Sequence, residues 1–224
     1  MTNPSDGVVS WSEYYQPDYT LPEIVDHLSN MGHMLGPCQA MPAGSRMLEI
    51  GTGTGLVTIY LSQCGYDMTG LDYDPGIIAL NERLNKRLGG RASFVVGDMF
   101  ALPYADGAFD AIFHQGLMEH FDEGPIVASF HEQLRVARRV IFTVPTVHWH
   151  GGVRGDERMW TGAYWRKLLA PFRVVSVFGA SYPDPLTRAL HFFGGRATQH
   201  RPKGLFESMA MRRAGQIGFI VEAG

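Results

Sequence analysis

Met47-Leu48-Glu49-Ile50-Gly51-Thr52-Gly53-Thr54-Gly55 decides how the rest of the chain is read. An apolar run that ends in a carboxylate and an isoleucine predicts a buried parallel strand. Three alternating glycines break it, and from Leu56 to Cys64 the apolar spacing turns helical. Strand, glycine turn, helix is how an α/β fold brings backbone amides up to a nucleotide-sized ligand. Glycine serves there because it accepts positive φ and has no Cβ to hold the ligand off. The dinucleotide fingerprint G-x-G-x-x-G would need glycine at Leu56 or Thr58 and is excluded. No Gly-Lys-Ser/Thr follows, so the phosphate loop of ATPases is excluded as well.

Downstream, Asp67 to Leu71 reads as a second strand, ended by Asp72-Tyr73-Asp74-Pro75. Asp72 lies about 20 residues past the start of the glycine turn, where a strand-end carboxylate accepts hydrogen bonds from ribose hydroxyls. Asp74 precedes Pro75 and a helix from Gly76 to Leu88, which makes it the N-cap. Ala92 to Val96 is a third strand ending in Gly97-Asp98-Met99, a second carboxylate in the same crevice. Phe109 to Phe113 is a fourth, running into His114-Gln115-Gly116-Leu117-Met118-Glu119-His120. A helix from about Pro125 to Ala137 and a strand from Arg139 to Val144 follow, with Val144-Pro145 ending regular structure. Thr146 to Trp160, with His148, Trp149 and His150, reads as a strand-end loop. Tyr164 to Leu169 is helical, and Phe172 to Phe178 and Ile217 to Val221 are the last strands. Alternating strands and helices argue a mostly parallel sheet covered on both faces.

Upstream, Leu21 to Leu35 shows a helical stripe, with Pro22 in its first turn and Gly36-Pro37 as a stop. Before it, Trp11-Ser12-Glu13-Tyr14-Tyr15-Gln16-Pro17-Asp18-Tyr19 gathers four aromatics in nine positions. They either cover the open edge of the core or form a flap over the crevice.

The 224 residues suit one α/β domain, and 45% hydrophobic with 18% charged residues is ordinary for a globular protein. A formal net charge of -3 gives no general pull toward nucleic acid or an anionic membrane. Two cysteines, Cys38 and Cys64, do not make a disulfide framework, so a reducing cytoplasm is expected. Met1 to Gly7 is polar without a secretory pattern, and no apolar run approaches membrane-spanning length.

Taken together, these residues resemble the class I S-adenosylmethionine-dependent methyltransferases. The resemblance is carried by Leu48 to Gly55, Gly70 to Pro75, Val96 to Met99, Phe109-Asp110 and Leu117 to His120. It implies a Rossmann-like, seven-stranded, mostly parallel sheet with its last strand antiparallel and helices on both faces. It also implies S-adenosyl-L-methionine held by Glu49, Gly51, Thr52, Gly53, Gly55, Asp72, Tyr73, Asp98, Met99 and Gln115. The glycine motif would meet the methionine part, Asp72 the ribose, Asp98 the adenine amine, and Gln115 the edge shared by methionine and acceptor. The domain then divides into an N-terminal lid segment over 1–45, a core over 46–180 and 215–224, and an inserted cap over 181–214. Ser181 to Ala214 is far longer than a hairpin loop, and such insertions close the site in the family.

The expected activity is methyl transfer to an oxygen or nitrogen of a small molecule; an RNA or protein substrate, or cofactor binding without turnover, are the alternatives. An acceptor that must lose a proton needs a base. Histidine suits the task, and His114, His120, His148 and His150 all fall on strand-end segments. His120 is the catalytic candidate, with Tyr14, Tyr15, His148 and Trp149 lining the substrate. No metal is expected, since His148 and His150 lack a supporting cysteine or second acidic pair. The expected partners are a small-molecule acceptor and, in a homodimer, a second copy, without membrane or nucleic acid. The basic run Arg196 to Arg213 reads as a solvated face.

Overall fold

The computed structural model describes residues 11–15, 19–150, 156–180, 212 and 214–223. The expected cap over Ser181 to Ala214, and the basic run within it, therefore lie outside the described residues except for Arg212 and Ala214.

The elements are α1 (Trp11–Tyr14), α2 (Leu21–Asn30), α3 (Gly32–Gln39), β1 (Arg46–Ile50), α4 (Leu56–Gln63), β2 (Asp67–Asp72), α5 (Pro75–Leu88) and β3 (Ser93–Val96). There follow β4 (Ala111–Gln115), a 3-10 turn (Met118–His120), α6 (Glu123–Val136), β5 (Arg139–Pro145), α7 (Gly162–Leu168), β6 (Arg173–Ala180) and β7 (Gln216–Glu222). The seven strands form one sheet in the order β3-β2-β1-β4-β5-β7-β6. β7 alone runs against its neighbours, antiparallel to both β5 and β6, while the other adjacent pairs are parallel.

Side-chain alternation along the buried strands sorts the core into two layers. Leu48, Ile50, Ile112, Val140, Phe142 and Val144 pack with Ile126 and Phe130 of α6 and Trp165 of α7. Met47, Ala111, Phe113 and Ile141 point the other way and pack with Met34 and Cys38 of α3 and Val57 and Leu61 of α4. Each of these residues is at most 5% exposed, so the sheet is dry on both faces at its centre. Parallel strands buried on both sides present the C-terminal ends of β1 to β4 along one rim.

Three local expectations need correction. Leu21 to Leu35 is two helices, broken at Met31 (ψ 7°), and Pro37 lies inside α3 instead of stopping it. Burial of Met34, Leu35 and Cys38 holds that short helix despite the hydrogen bond that proline cannot donate. β4 begins at Ala111, because Phe109 makes only an isolated bridge to Ala137, and it runs on through Gln115. β5 continues to Pro145, which pairs with Gln216 of β7. Cys38 is buried and Cys64 exposed, and both are free thiols.

Candidate active site

The strand order sets four sequence features in a row along the rim. Asp98 follows β3, Asp72 ends β2, the glycine loop follows β1, and Gln115 ends β4. Gly51, Gly53 and Gly55 all have positive φ, at 69°, 48° and 69°. The loop is pinned from beneath by Asn81 of α5, which accepts from Thr52 Oγ1 at 2.5 Å and donates to the Gly53 carbonyl at 2.9 Å. Glu49, 8% exposed, accepts a short hydrogen bond from the Thr58 hydroxyl and so ties β1 to α4. Burial pushes its carboxyl up to about 8, against the pull of that hydrogen bond.

Asp72 accepts from the backbone N–H of Asp74 at 3.0 Å and of Gly53 at 3.5 Å. A carboxylate has about four lone-pair sites, so both oxygens keep capacity for a ligand's hydroxyls. Burial raises its pKa above the ordinary aspartate value, with backbone hydrogen bonds opposing. Asp74 caps α5, accepting from Gly76 N at 2.7 Å. Asp98 accepts from Phe100 N at 2.9 Å through one oxygen. Met99 belongs to the buried core with Leu71 and Leu102, whereas Tyr73 is 77% exposed. Gln115 is held by His33 of α3, Nε2 to Oε1 3.0 Å, a contact that no sequence pattern announces.

The first aromatics cross this row. A Cβ built on Gly53 would lie 2.9 Å from the ring and hydroxyl of Tyr15, so that side chain rests on the glycine loop. Trp11 stacks on Tyr15 with ring centroids 6.2 Å apart, and Ser12 N donates to the Asp74 carboxylate at 3.2 Å. Tyr15 also packs against the buried cluster of Ile59, Leu80 and Leu84, so this segment touches the glycine loop and covers the edge of the core. Tyr14 packs edge-on to Tyr15 at 5.1 Å and is itself 58% exposed.

The four histidines separate. His114 is fully buried, stacked on Phe142 at 5.3 Å, and burial drives its pKa down to about 3. It is a core residue and not part of the rim, because its even position in β4 turns it toward α6. His120 lies at the rim, edge-on to Trp11 at 5.6 Å. His148 and Trp149 follow β5 at the same end of the sheet, in a turn tied by Thr146, and both are half-buried, while His150 is exposed. Glu119, 3% exposed, is pushed up to about 8 by burial and by the carboxylates of Glu157 and Asp156.

Among the described residues, His120, Asp156 and Glu157 are the group whose ligand-type atoms all come within 4.8 Å of one another. Two of those atoms already face each other across a hydrogen bond of 3.0 Å, His120 Nδ1 to Asp156 Oδ1. That is the geometry of a paired imidazole.

Residues 47–139 match a protein family described as a methyltransferase domain. Over that stretch the chain is similar to methyltransferases. The chain is 39% identical over 99 residues to a demethylmenaquinone methyltransferase of Roseiflexus castenholzii, covering 44% of this chain and 41% of that protein. It is 34% identical over 105 residues to the magnesium-protoporphyrin O-methyltransferase of Rhodobacter capsulatus, covering 45% of each. The aligned part spans about two-fifths of the first curated relatives. The fold is shared more widely. It superposes on magnesium protoporphyrin IX methyltransferase of Synechocystis PCC 6803, solved with bound SAH, with a TM-score of 0.63 at 14% identity over 94% of this chain and 91% of the other.

Proposed function

We propose that this chain is an S-adenosyl-L-methionine-dependent methyltransferase acting on an oxygen or nitrogen of a small molecule. The observation that carries the proposal is the row of Asp98, Asp72, the glycine loop and Gln115 along one rim. The cradle suits the cofactor: Gly51 and Gly53 carry no Cβ of their own and take positive φ, and the carboxylates of Asp72 and Asp98 keep lone pairs for ribose hydroxyls and an adenine amine. Gly51, Thr52, Gly53 and Gly55 would hold the methionine part, Asp72 the ribose, Asp98 with Tyr73 and Met99 the adenine, and Gln115 the edge toward the acceptor. Glu49 supports the loop through α4.

When bound, the cofactor supplies an electrophilic methyl on a sulfonium, so the chain needs no covalent intermediate. The protein aligns the acceptor, excludes water and removes a proton. His120 is the residue for the last task. Tyr14, Tyr15, His148 and Trp149 line the acceptor's side, the first two from the segment that precedes α2. The names of the two relatives point to a flat conjugated acceptor, which an aromatic wall of Trp11, Tyr14 and Tyr15 suits. Two free thiols and a net charge of -3 support a cytoplasmic protein that does not bind nucleic acid.

Calorimetry tests the cofactor: saturable binding of S-adenosylmethionine and its demethylated product is expected, with little heat from NAD. Methyl transfer is then assayed with labelled cofactor on reduced demethylmenaquinone and on magnesium protoporphyrin. NAD binding with no response to S-adenosylmethionine would overturn the reading.

A further inference from the structure

The loop after β4 carries a side-chain pair that the cofactor row leaves unused. His120 ends the 3-10 turn with its side chain 13% exposed, and its Nδ1 meets Asp156, 36 positions away and 65% exposed. The reach of Asp156 is fixed by its neighbour. Arg158 donates its backbone N–H to the Glu119 carbonyl at 2.9 Å and its guanidinium to Asp122 at 2.7 Å. One arginine thus holds the segment of Asp156 against both flanks of His120. On the far side, Trp11 lies against the His120 ring and stacks on Tyr15, which rests on Gly53. Contacts run without a break from the glycine loop to the Asp156 carboxylate.

An exposed ion pair adds little to stability, so this pair is not explained by holding the fold. Its effect is on the imidazole. A carboxylate at Nδ1 fixes the hydrogen on that nitrogen and leaves the lone pair on Nε2. We propose that Asp156 is a positioning residue that keeps His120 in the tautomer whose Nε2 takes the acceptor's proton. This rests on the methyl transfer proposed above. The acceptor's O–H or N–H bond breaks toward Nε2, and the freed pair bonds the methyl carbon directly. In a reduced quinone the pair is instead passed through the conjugated ring, so that a ring carbon bonds the methyl and then gives up its own hydrogen to water. In either case the former C–S pair stays on sulfur. The ring becomes cationic at that moment, facing Asp156, with Glu157, Asp122, Glu119 and Arg158 as the other ionisable groups around it; the carboxylate at Nδ1 stabilises that charge.

Long-range proton–nitrogen spectra of the full chain, labelled in its histidine rings and held near neutral to mildly alkaline pH, test the pair without any acceptor. His120 is assigned by its loss in His120→Gln. The expected signature is Nδ1–H with a bare Nε2, replaced in Asp156→Ala by the Nε2–H form common in free histidine. An Nε2–H ring in the parent overturns the proposal. On reduced demethylmenaquinone, Asp156→Ala should lower kcat roughly tenfold or more with KM and affinity for the demethylated cofactor unchanged, and Asp156→Glu should restore part of it. Equal kcat in parent and Asp156→Ala overturns the proposal, as does turnover abolished by a chelator and restored by a divalent cation, which would make the trio metal ligands. His120→Gln as active as the parent would remove the base and leave the methyltransferase reading intact. Failure to bind S-adenosylmethionine would remove that reading and leave the spectra to decide the pair.

Discussion

The amide nitrogen of Asn81 donates to the carbonyl oxygen of Gly53 across 2.9 Å, from a helix that begins 24 residues after the loop's first glycine. With the Thr52 hydroxyl donated to its other end, this fully buried side chain fixes the height of the glycine loop above the sheet. Asn81→Leu should strand a carbonyl and a hydroxyl in the core. We expect a loss of about 1–3 kcal/mol in urea unfolding. Affinity for S-adenosylhomocysteine should fall about tenfold or more by calorimetry. Parent-like values for both would mean that the loop holds its shape alone.

Alanine at Gly55 and at Gly53 should cost differently. Both positions have positive φ, so each variant pays backbone strain of about 1–2 kcal/mol. At Gly55 the new methyl also lies 2.7 Å from Asn81 Cγ, a buried atom already bonded on two sides. At Gly53 it meets the end of Tyr15, which can swing away. Thermal melts should therefore rank Gly55→Ala below Gly53→Ala, and the reverse order would contradict the packing described.

Asp72→Ala and Asp98→Ala each remove a charged acceptor from the rim. Losing such a hydrogen bond costs roughly 1.5–3 kcal/mol, about ten- to a hundredfold in affinity. Titration with S-adenosylhomocysteine reads it directly. If both variants fold and bind as the parent does, the cofactor is held elsewhere.

Two buried groups should bend the pH dependence of stability in opposite senses. His114 is depressed from 6.5 to about 3, so the fold favours its neutral form; stability is intact above 6.5 and falls as pH drops toward 3. Glu49 is raised from 4.5 to about 8, so the fold favours its protonated form; stability is intact below 4.5 and falls as pH rises toward 8. Each slope is at most about 1.4 kcal/mol per pH unit. Denaturant titrations across pH should show His114→Leu flattening the acid limb and Glu49→Gln the neutral-to-alkaline one. Parallel curves for parent and variants would show that neither group is titrating as its burial requires.

Much of this was legible because strands buried on both faces leave continuous apolar runs, and because the glycine loop, Asp72 and Asp98 sit at strand ends marked by their own punctuation. Asn81 went unread, although it interrupts the buried stripe of Ile77, Ile78, Leu80 and Leu84 in α5. The His33–Gln115 contact was not legible, since it joins residues 82 apart and depends on how α3 lies against the sheet. His114 was misread as a rim histidine because its side-chain chemistry suggested function, whereas its position in β4 assigns it to the layer of Phe130 and Phe142. Asp156 escaped notice for a similar reason: its pairing with His120 comes from the fold and not from spacing.

Tyr15 resting on Gly53 makes the chain its own competitor. Whatever approaches the glycine loop from that face must share the place with a phenol ring attached to the same molecule. Such a tether sets a local concentration that dilution does not change, so the competition is equally strong at any protein concentration. Occupancy of the loop is then tuned by how firmly Trp11 and Ser12 hold α1 down, through residues that need not touch the ligand at all.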